Sequence, residues 1–396
     1  MIKFCRTLAV SAAAILTTAV LPAQADWEQT LNDAKGQTVS FNAWGGDDRI
    51  NAYIAWVGDR VSQEYGVNLQ HVKLADTANA VSTVLAEKTA GQDENGSIDM
   101  IWINGENFAA MKRNGLLFGP WTETLPNYQL VDTVGKPTTV KDFTVPVDGL
   151  EAPWGMAQFN FIYDTEIIAD FPTSLTGLSA FLADNPGEFS YPLPPDFLGS
   201  TFLKQALIEL SNGDEALSSA PDQATFERVS APLWSYLDGL HPNLWRGGKT
   251  FPASGPAMRE LMDDGEQSSM VSFTPTEAAA LVIAELLPES VAAAGLEKGT
   301  IGNTHFLAVP YNSGSTAGAQ VVANFMMSAE AQARKQDPAV WGDASVLNVP
   351  ALTGEDAAAF AALPASAQVD LGPTLSEPDP AWMELVEKEW QKRYGS

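Results

Sequence analysis

The chain has 396 residues, a formal net charge of −27 and 9% aromatic residues, including 11 Trp. That length suits two domains of ~100–200 residues each, and the aromatic content argues for packed cores and against disorder. The acidic surface repels nucleic acid and anionic lipid, although by itself it names no ligand.

The first residues carry an export signal. Lys3 and Arg6 give a positive start, residues 8–20 an apolar run, and Ala23-Gln24-Ala25 a small-x-small cleavage pattern. Residues 1–25 therefore read as a secretory signal peptide, with Asp26 first in the mature chain. The apolar run is shorter than the ~20 residues a bilayer span needs. No twin arginine is present, and Cys5 precedes the run, which argues against a lipoprotein. Cleavage removes Cys5, the only cysteine, so the mature chain forms no disulfide and no thiolate metal site. The expected location is the periplasm.

A helix is predicted over 27–34, ended by Gly36. Val39, Phe41 and Ala43 alternate with Thr38, Ser40 and Asn42 as a strand,. The Trp44-Gly45-Gly46-Asp47-Asp48 turn breaks it, and Ile50, Tyr53, Ile54 and Val57 recur at helical spacing. A strand over 67–74, a helix over 77–90 and a strand over 98–103 follow, the last apolar enough for the interior of a parallel sheet. Asn104-Gly105-Glu106-Asn107 ends it before a helix over 108–114. Strand and helix alternate as in an open α/β sheet. Residues 119–152 read as surface loops leading to a crossing between lobes.

Residues 154–163 then read as one strand, 175–185 as a helix and 189–191 as a short strand. A long helix opens at Gly199-Ser200-Thr201, with Ser200 or Thr201 as its cap. Helices over 224–240 and 254–263, a strand over 269–273 and a helix over 276–287 complete a second α/β lobe. A return strand is predicted over 304–310, helices over 318–327 and 330–335, and a short Ala-rich helix over 357–363. The last helix, 381–393, sets Trp382, Leu385, Val386 and Trp390 on one face.

Ligands in open α/β sheets sit at the carboxyl ends of strands, where helix starts offer unpaired N–H groups. Four turns fit: after Ala43, after Ile103, after Phe273, and before the helix at Ser200. Gly45 and Gly46 would allow close backbone approach. Trp44, Trp102, Trp154, Phe197, Trp245 and Phe273 lie beside these turns, and an aromatic face can hold a cation. Trp102, inside its strand, is expected in the core, whereas Trp44 and Trp154 are expected to face the cleft. Asp47, Glu106 and Asp196 could add charge. The candidate ligand-binding set is Trp44, Gly45, Gly46, Asn104, Glu106, Asn107, Trp154, Asp196, Ser200, Thr201, Trp245 and Phe273.

These residues resemble a known family. The signal peptide, the Phe41–Gly46 turn, Asp99 to Asn107, Pro153-Trp154-Gly155, Tyr191-Pro192, Pro195 to Gly199 and Pro338-Ala339-Val340-Trp341-Gly342 look like the periplasmic solute-binding component of ABC importers. The match is to the YnjB-type branch near the thiamine, polyamine and ferric-ion binding proteins. The resemblance implies a type II periplasmic-binding-protein fold: two α/β lobes, each a mixed sheet flanked by helices, joined by crossing strands and closing over a solute by hinge motion. The crossings would fall near Ala152-Pro153 and Val309-Pro310. Residues 26–152 with 310–396 would form the first lobe and 153–309 the second. It further implies delivery of the solute to an inner-membrane permease, a monomer, no cofactor and no catalysis. Aromatic walls with acidic residues suit an organic cation or thiamine-like compound. The absence of an adjacent tyrosine pair argues against iron, whereas a helix-start pocket equally suits a phosphate ester or carboxylate.

The rival class is an exported hydrolase with a cleft carboxylate pair. No G-x-S-x-G elbow occurs, and Gly314-Ser315-Thr316-Ala317-Gly318 has Thr at its centre. His71, His241 and His305 are far apart and lack metal spacing, so each reads as structural. Asp47-Asp48 and Asp263-Asp264 read as solvated loop charges. A protein-binding scaffold is a weaker third reading.

Overall fold

The computed structural model describes residues 22–395. The expected signal sequence up to residue 21, with Cys5, lies outside them. In chain order the elements are α1 (Pro22–Ala34), β1 (Thr38–Trp44), α2 (Asp48–Tyr65), β2 (Asn68–Leu74), α3 (Ala78–Thr89), β3 (Met100–Ile103) and α4 (Gly105–Arg113). A hairpin of β4 (Lys141–Asp142) and β5 (Val145–Pro146) precedes β6 (Glu151–Gln158) and β7 (Asn160–Asp164). Then come α5 (Leu175–Asp184), α6 (Phe197–Leu210), α7 (Gln223–Leu240), α8 (Gly255–Asp263), β8 (Ser269–Ser272), α9 (Glu277–Ile283), β9 (Val291–Ala294) and β10 (Thr300–Ala308). The tail carries α10 (Thr316–Met326), α11 (Ala329–Gln336), α12 (Gly354–Ala361), β11 (Thr374–Leu375) and α13 (Pro380–Tyr394). Among the described residues no helix is long and apolar enough to cross a membrane.

The larger sheet runs β11-β10-β3-β1-β2, with β6 also on β10. β1 pairs in parallel with β2 and β3, whereas β10 is antiparallel to β3 and β6. Alternation sets its two faces. Val39, Phe41, Ala43 and Met100 join one core with the α2 stripe Ile50, Tyr53, Ile54, Val57 and Val61. Ile101 and Ile103 turn to the other face, with Phe108 of α4 and Phe306. The smaller sheet, β8-β7-β9, is antiparallel and carries the second core with α5, α6 and α7.

Three departures from the sequence reading matter for the site. The strand predicted over 154–163 is two strands, and the lobes exchange within the β6/β10 pair. Ala152, Trp154, Leu307 and Val309 belong to the first core, whereas Ala157 and Ile301 belong to the second. The crossings thus lie inside the expected Ala152-Pro153 and Val309-Pro310 boundaries. Secondly, Trp382, Val386 and Trp390 of α13 are buried in the second core, although 310–396 is assigned by sequence to the first lobe. Finally, Asp196 caps α6 by accepting from the N–H groups of Leu198 and Gly199. Ser200 and Thr201, the predicted caps, lie inside the helix: Thr201 Oγ1 donates to Phe197 O at 2.7 Å and Ser200 Oγ to Glu387.

The 119–152 segment is irregular, as predicted, except for the β4–β5 hairpin. Its tip reaches the other lobe: the Lys204 ammonium of α6 lies 4.9 Å from the Phe143 ring centre. Thr144 Oγ1 donates to Asp379, the N-cap of α13, at 3.4 Å.

Candidate functional site

The strand ends of both lobes meet where the sequence places them. Gln158 N–H donates to Phe273 O at 3.1 Å, and Thr276 Oγ1 to Gly342 O at 2.7 Å. Trp44, the last residue of β1, is 37% exposed, and Phe197, the first of α6, is 44% exposed. The Phe197 ring stands edge-on to Phe273 at 5.0 Å, with Phe273 buried beneath it. Each lobe thereby presents an aromatic surface at a strand end. Gly45 and Gly46 serve this arrangement locally: a Cβ on Gly46 would run into the Trp44 indole, and one on Gly45 into Lys73.

The helix starts around these ends are already answered by carboxylates. Asp47 caps α2, accepting from Arg49 N at 2.7 Å and pairing with the Arg49 guanidinium at 3.0 Å. Burial alone would raise the Asp47 carboxyl, but the Arg49 contacts hold it below the usual range,. Asp142, from the hairpin, accepts Gly105 N–H at the start of α4 at 2.6 Å, while the N-cap residue Asn104 makes no side-chain cap. Asp196 occupies the start of α6 in the same way.

Beneath Trp102 lies an aromatic cluster drawn from five separate segments. Trp102 stands perpendicular to Trp154 at 5.0 Å and to His305 at 5.2 Å, and Tyr53 and Trp341 complete the group. His305 Nε2 faces Asp343 Oδ1 at 3.1 Å, and Asp343 Oδ2 accepts from the buried Lys335 ammonium at 2.5 Å. Burial would raise the Asp343 carboxyl, but Lys335 and His305 keep it below its ordinary value. Gly155 is obligatory here, since a Cβ would collide with Asp343, Lys335 and His305. The two tryptophans exchange their expected roles: Trp154 is fully buried and Trp102 is partly exposed. Removing so large a buried ring costs about 3–5 kcal/mol, so Trp154 belongs to the fold before it belongs to any ligand.

On the opposite side of the strand ends a polar chamber joins the lobes. Lys204 of α6 donates to Glu377 at 2.6 Å, both fully buried, and Asn303 Nδ2 of β10 donates to the other Glu377 oxygen at 3.2 Å. Glu106 of α4 lies within electrostatic reach of Lys204, Glu377 and Glu387. Burial raises the carboxyls of Glu106 and Glu387 and pushes Asp142 well up. Asn107 makes only a 3.4 Å contact with Glu106.

Of the predicted residues, Trp44, Gly45, Gly46, Asn104, Glu106, Asn107 and Phe273 stand at these strand ends. Asp196, Ser200 and Thr201 are engaged in the α6 start. Trp245 is elsewhere: its backbone N–H bonds to Phe189, which bridges to Ser269 at the beginning of β8, and its indole donates to Glu266 at 2.8 Å. The other end of β8 leads to Phe273. Sequence reasoning passed over Lys204, Glu377, Asn303, Asp142 and the His305–Asp343–Lys335 group. A lysine inside an otherwise apolar helix stretch, Phe202-Leu203-Lys204-Gln205-Ala206-Leu207, is the one signal that pointed to a buried ion pair.

Comparison with known proteins gives a consistent result. A family model described as bacterial extracellular solute-binding protein matches residues 56–358. Protein YnjB of Escherichia coli K12 is 46% identical over 372 residues, covering 94% of each chain. Among solved structures, the periplasmic binding protein AfuA from Actinobacillus pleuropneumoniae, determined with exogenous fructose-6-phosphate bound, has a TM-score of 0.62 at 14% identity, over 91% of this chain and 99% of that one. A periplasmic thiamin binding protein reaches 0.63 at 18% identity, over 90% and 96%. The spermidine/putrescine substrate-binding protein PotD from Streptococcus pneumoniae reaches 0.60 at 14%, over 91% and 96%. At such identities the structures speak for the fold, which is the type II periplasmic-binding-protein fold.

Proposed function

The chain belongs to the bacterial extracellular solute-binding proteins, of the type that serves ABC transporters, and from that premise we propose that its interlobe cleft takes a small organic cation. One observation carries the choice of charge: the cleft-side starts of α2, α4 and α6 are each already met by a carboxylate of the protein, from Asp47, Asp142 and Asp196. A helix start attracts anions through its free N–H groups and partial positive charge, and here both are spent. An anionic solute would meet carboxylates, whereas a cation meets them and the exposed faces of Trp44 and Phe197. An aromatic face adds roughly 0.5–2 kcal/mol for a desolvated cation.

In this reading the signal peptide is removed, the mature protein works as a periplasmic monomer, and it passes its solute to an inner-membrane permease without catalysing a reaction. Closing of the lobes spends binding energy on a shape that the permease recognises. The hydrolase alternative gains no support from the family.

A thermal-shift screen of the mature chain against organic cations, sugars, phosphate esters and carboxylates tests the proposal, since a ligand of the native state raises its unfolding temperature. Trp44→Ala is expected to weaken cation binding about tenfold while leaving the apo unfolding temperature in place. Stabilisation by anions alone, or full cation affinity in the variant, would refute it.

A further inference from the structure

We propose that the chamber between α4, α6 and α13 seats a protonated primary amine of the solute, which it recognises through N–H donors and not through charge alone. The inference rests on the organic-cation reading and sharpens it. Three acceptors meet here without a donor. Asn303 is buried, and its amide orientation is forced: the Glu377 carboxylate accepts only, so Nδ2 must face it and Oδ1 is left free,. Asp142 is buried, with Oδ2 bonded to Gly105 N–H and Oδ1 unpartnered. Glu106, from the first lobe, has only the long contact from Asn107.

The resident cation does not fill this deficit. Lys204 is held by Glu377 at 2.6 Å with its ammonium against the Phe143 ring. A metal ion fits poorly as well. Among the described residues no three His, Cys, Asp or Glu side chains converge closely enough to hold one. A primary ammonium carries three donors on one small head and reaches acceptors that a metal ion cannot draw together. A quaternary ammonium brings the same charge but no N–H, and leaves buried acceptors dry. Each acceptor so stranded costs about tenfold in affinity. The walls come from both lobes: Glu106 and Asp142 from one, Lys204 and Glu387 from the other. An amine held there would therefore bridge the cleft and favour closure.

The test uses the mature full-length protein and matched pairs of probes, alkyl and aryl primary amines against their trimethylammonium counterparts, titrated by calorimetry. The expected result is at least tenfold tighter binding of the primary amine in each pair that binds. Glu106→Gln, which keeps the shape of a half-buried side chain, should remove at least tenfold of the amine affinity and little of the trimethylammonium affinity. Asn303→Leu should do the same, with its apo unfolding temperature read alongside. Equal binding within pairs, preference for the trimethylammonium form, or unchanged amine affinity in Glu106→Gln would overturn the seat. If trimethylammonium probes bind and Trp44→Ala abolishes that binding, the seat falls while the organic-cation reading stands. If neither cation class binds, both fall.

Discussion

Acid should destabilise this protein through one histidine, and the size of the effect follows from its surroundings. His241 is 8% exposed, packed against Tyr394 at 4.4 Å and Phe251 at 5.4 Å. The Tyr191 hydroxyl accepts from Trp390 Nε1 at 2.9 Å and lies 2.7 Å from His241 Nε2. Tyr191 therefore gives its own proton to Nε2, which must carry a lone pair. Protonating His241 would set two donors face to face in a desolvated pocket, and burial holds its pKa down to about 4, against an ordinary 6.5,. The folded pKa lies below the unfolded one, so between pH 6.5 and 4 the unfolded chain gains a proton that the folded chain refuses. Stability falls as pH falls through that window, by about 1.4 kcal/mol per pH unit and about 3 kcal/mol in all. Raised carboxyls such as those of Glu106 and Asp142 act in the opposite sense, because their folded forms take up protons first. The comparison must therefore be made against a variant. Urea unfolding of the parent and of His241→Gln, which can still accept from Tyr191 but does not titrate, should give stabilities that differ by about 3 kcal/mol less in the parent's favour at pH 4 than at pH 7.5. Curves that stay parallel across that range would refute the assignment of the proton to Tyr191.

The buried group under Trp102 should be intolerant of half-removal. Asp343→Asn leaves the Lys335 ammonium buried without a counter-charge and should cost about 3–5 kcal/mol in urea unfolding, whereas Lys335→Met combined with Asp343→Leu should recover much of that loss. A double variant no better than the single one would show that the pair is not the source. The hairpin tip should act as a strap between lobes. Phe143→Ala removes a buried ring wedged between Gly105 and Lys204, and should cost about 3 kcal/mol. It should also enlarge the radius of gyration of the ligand-free protein in small-angle scattering. An unchanged radius would restrict Phe143 to local packing.

The positions of the elements were readable because each of them carries its own periodic signal, but which way a side chain faces was not. β3 is apolar on both faces, so its pattern has no phase. Met100 and Trp102 turn to the α2 side, while Ile101 and Ile103 turn to the α4 side. Only the packed partners decide this, and they come from residues 53, 154, 305 and 341. The same ignorance of partners reversed Trp102 and Trp154. The α6 start failed for a different reason. Asp, Ser and Thr cap equally well, and Phe197-Leu198 after Asp196 looks like a connecting apolar pair, so the later Ser200 was the more attractive cap. The error hides a functional point, because placing the cap at Asp196 puts a carboxylate where a solute's negative group would otherwise dock.

Chain order misled in the tail as well, and here the physical reason bears on function. A segment that follows the return to the first lobe is naturally assigned to it. Instead, Trp382, Val386 and Trp390 find their apolar match in the second core, and Glu387 bonds to Ser200 there. The link to α13 passes Glu377, which holds Lys204 and Asn303. Thus the chain crosses between lobes a third time, after β6/β7 and β10, and it does so at the polar chamber. Two paired strands can bend about their crossing. A third connection away from that axis restricts which motions remain open, so the opening of this cleft must turn about the chamber as well as about β6 and β10. A solute group held by Glu106 and Asn303 would then sit close to the pivot, where small displacements of its ligands swing Trp44 and Phe197 through much larger arcs.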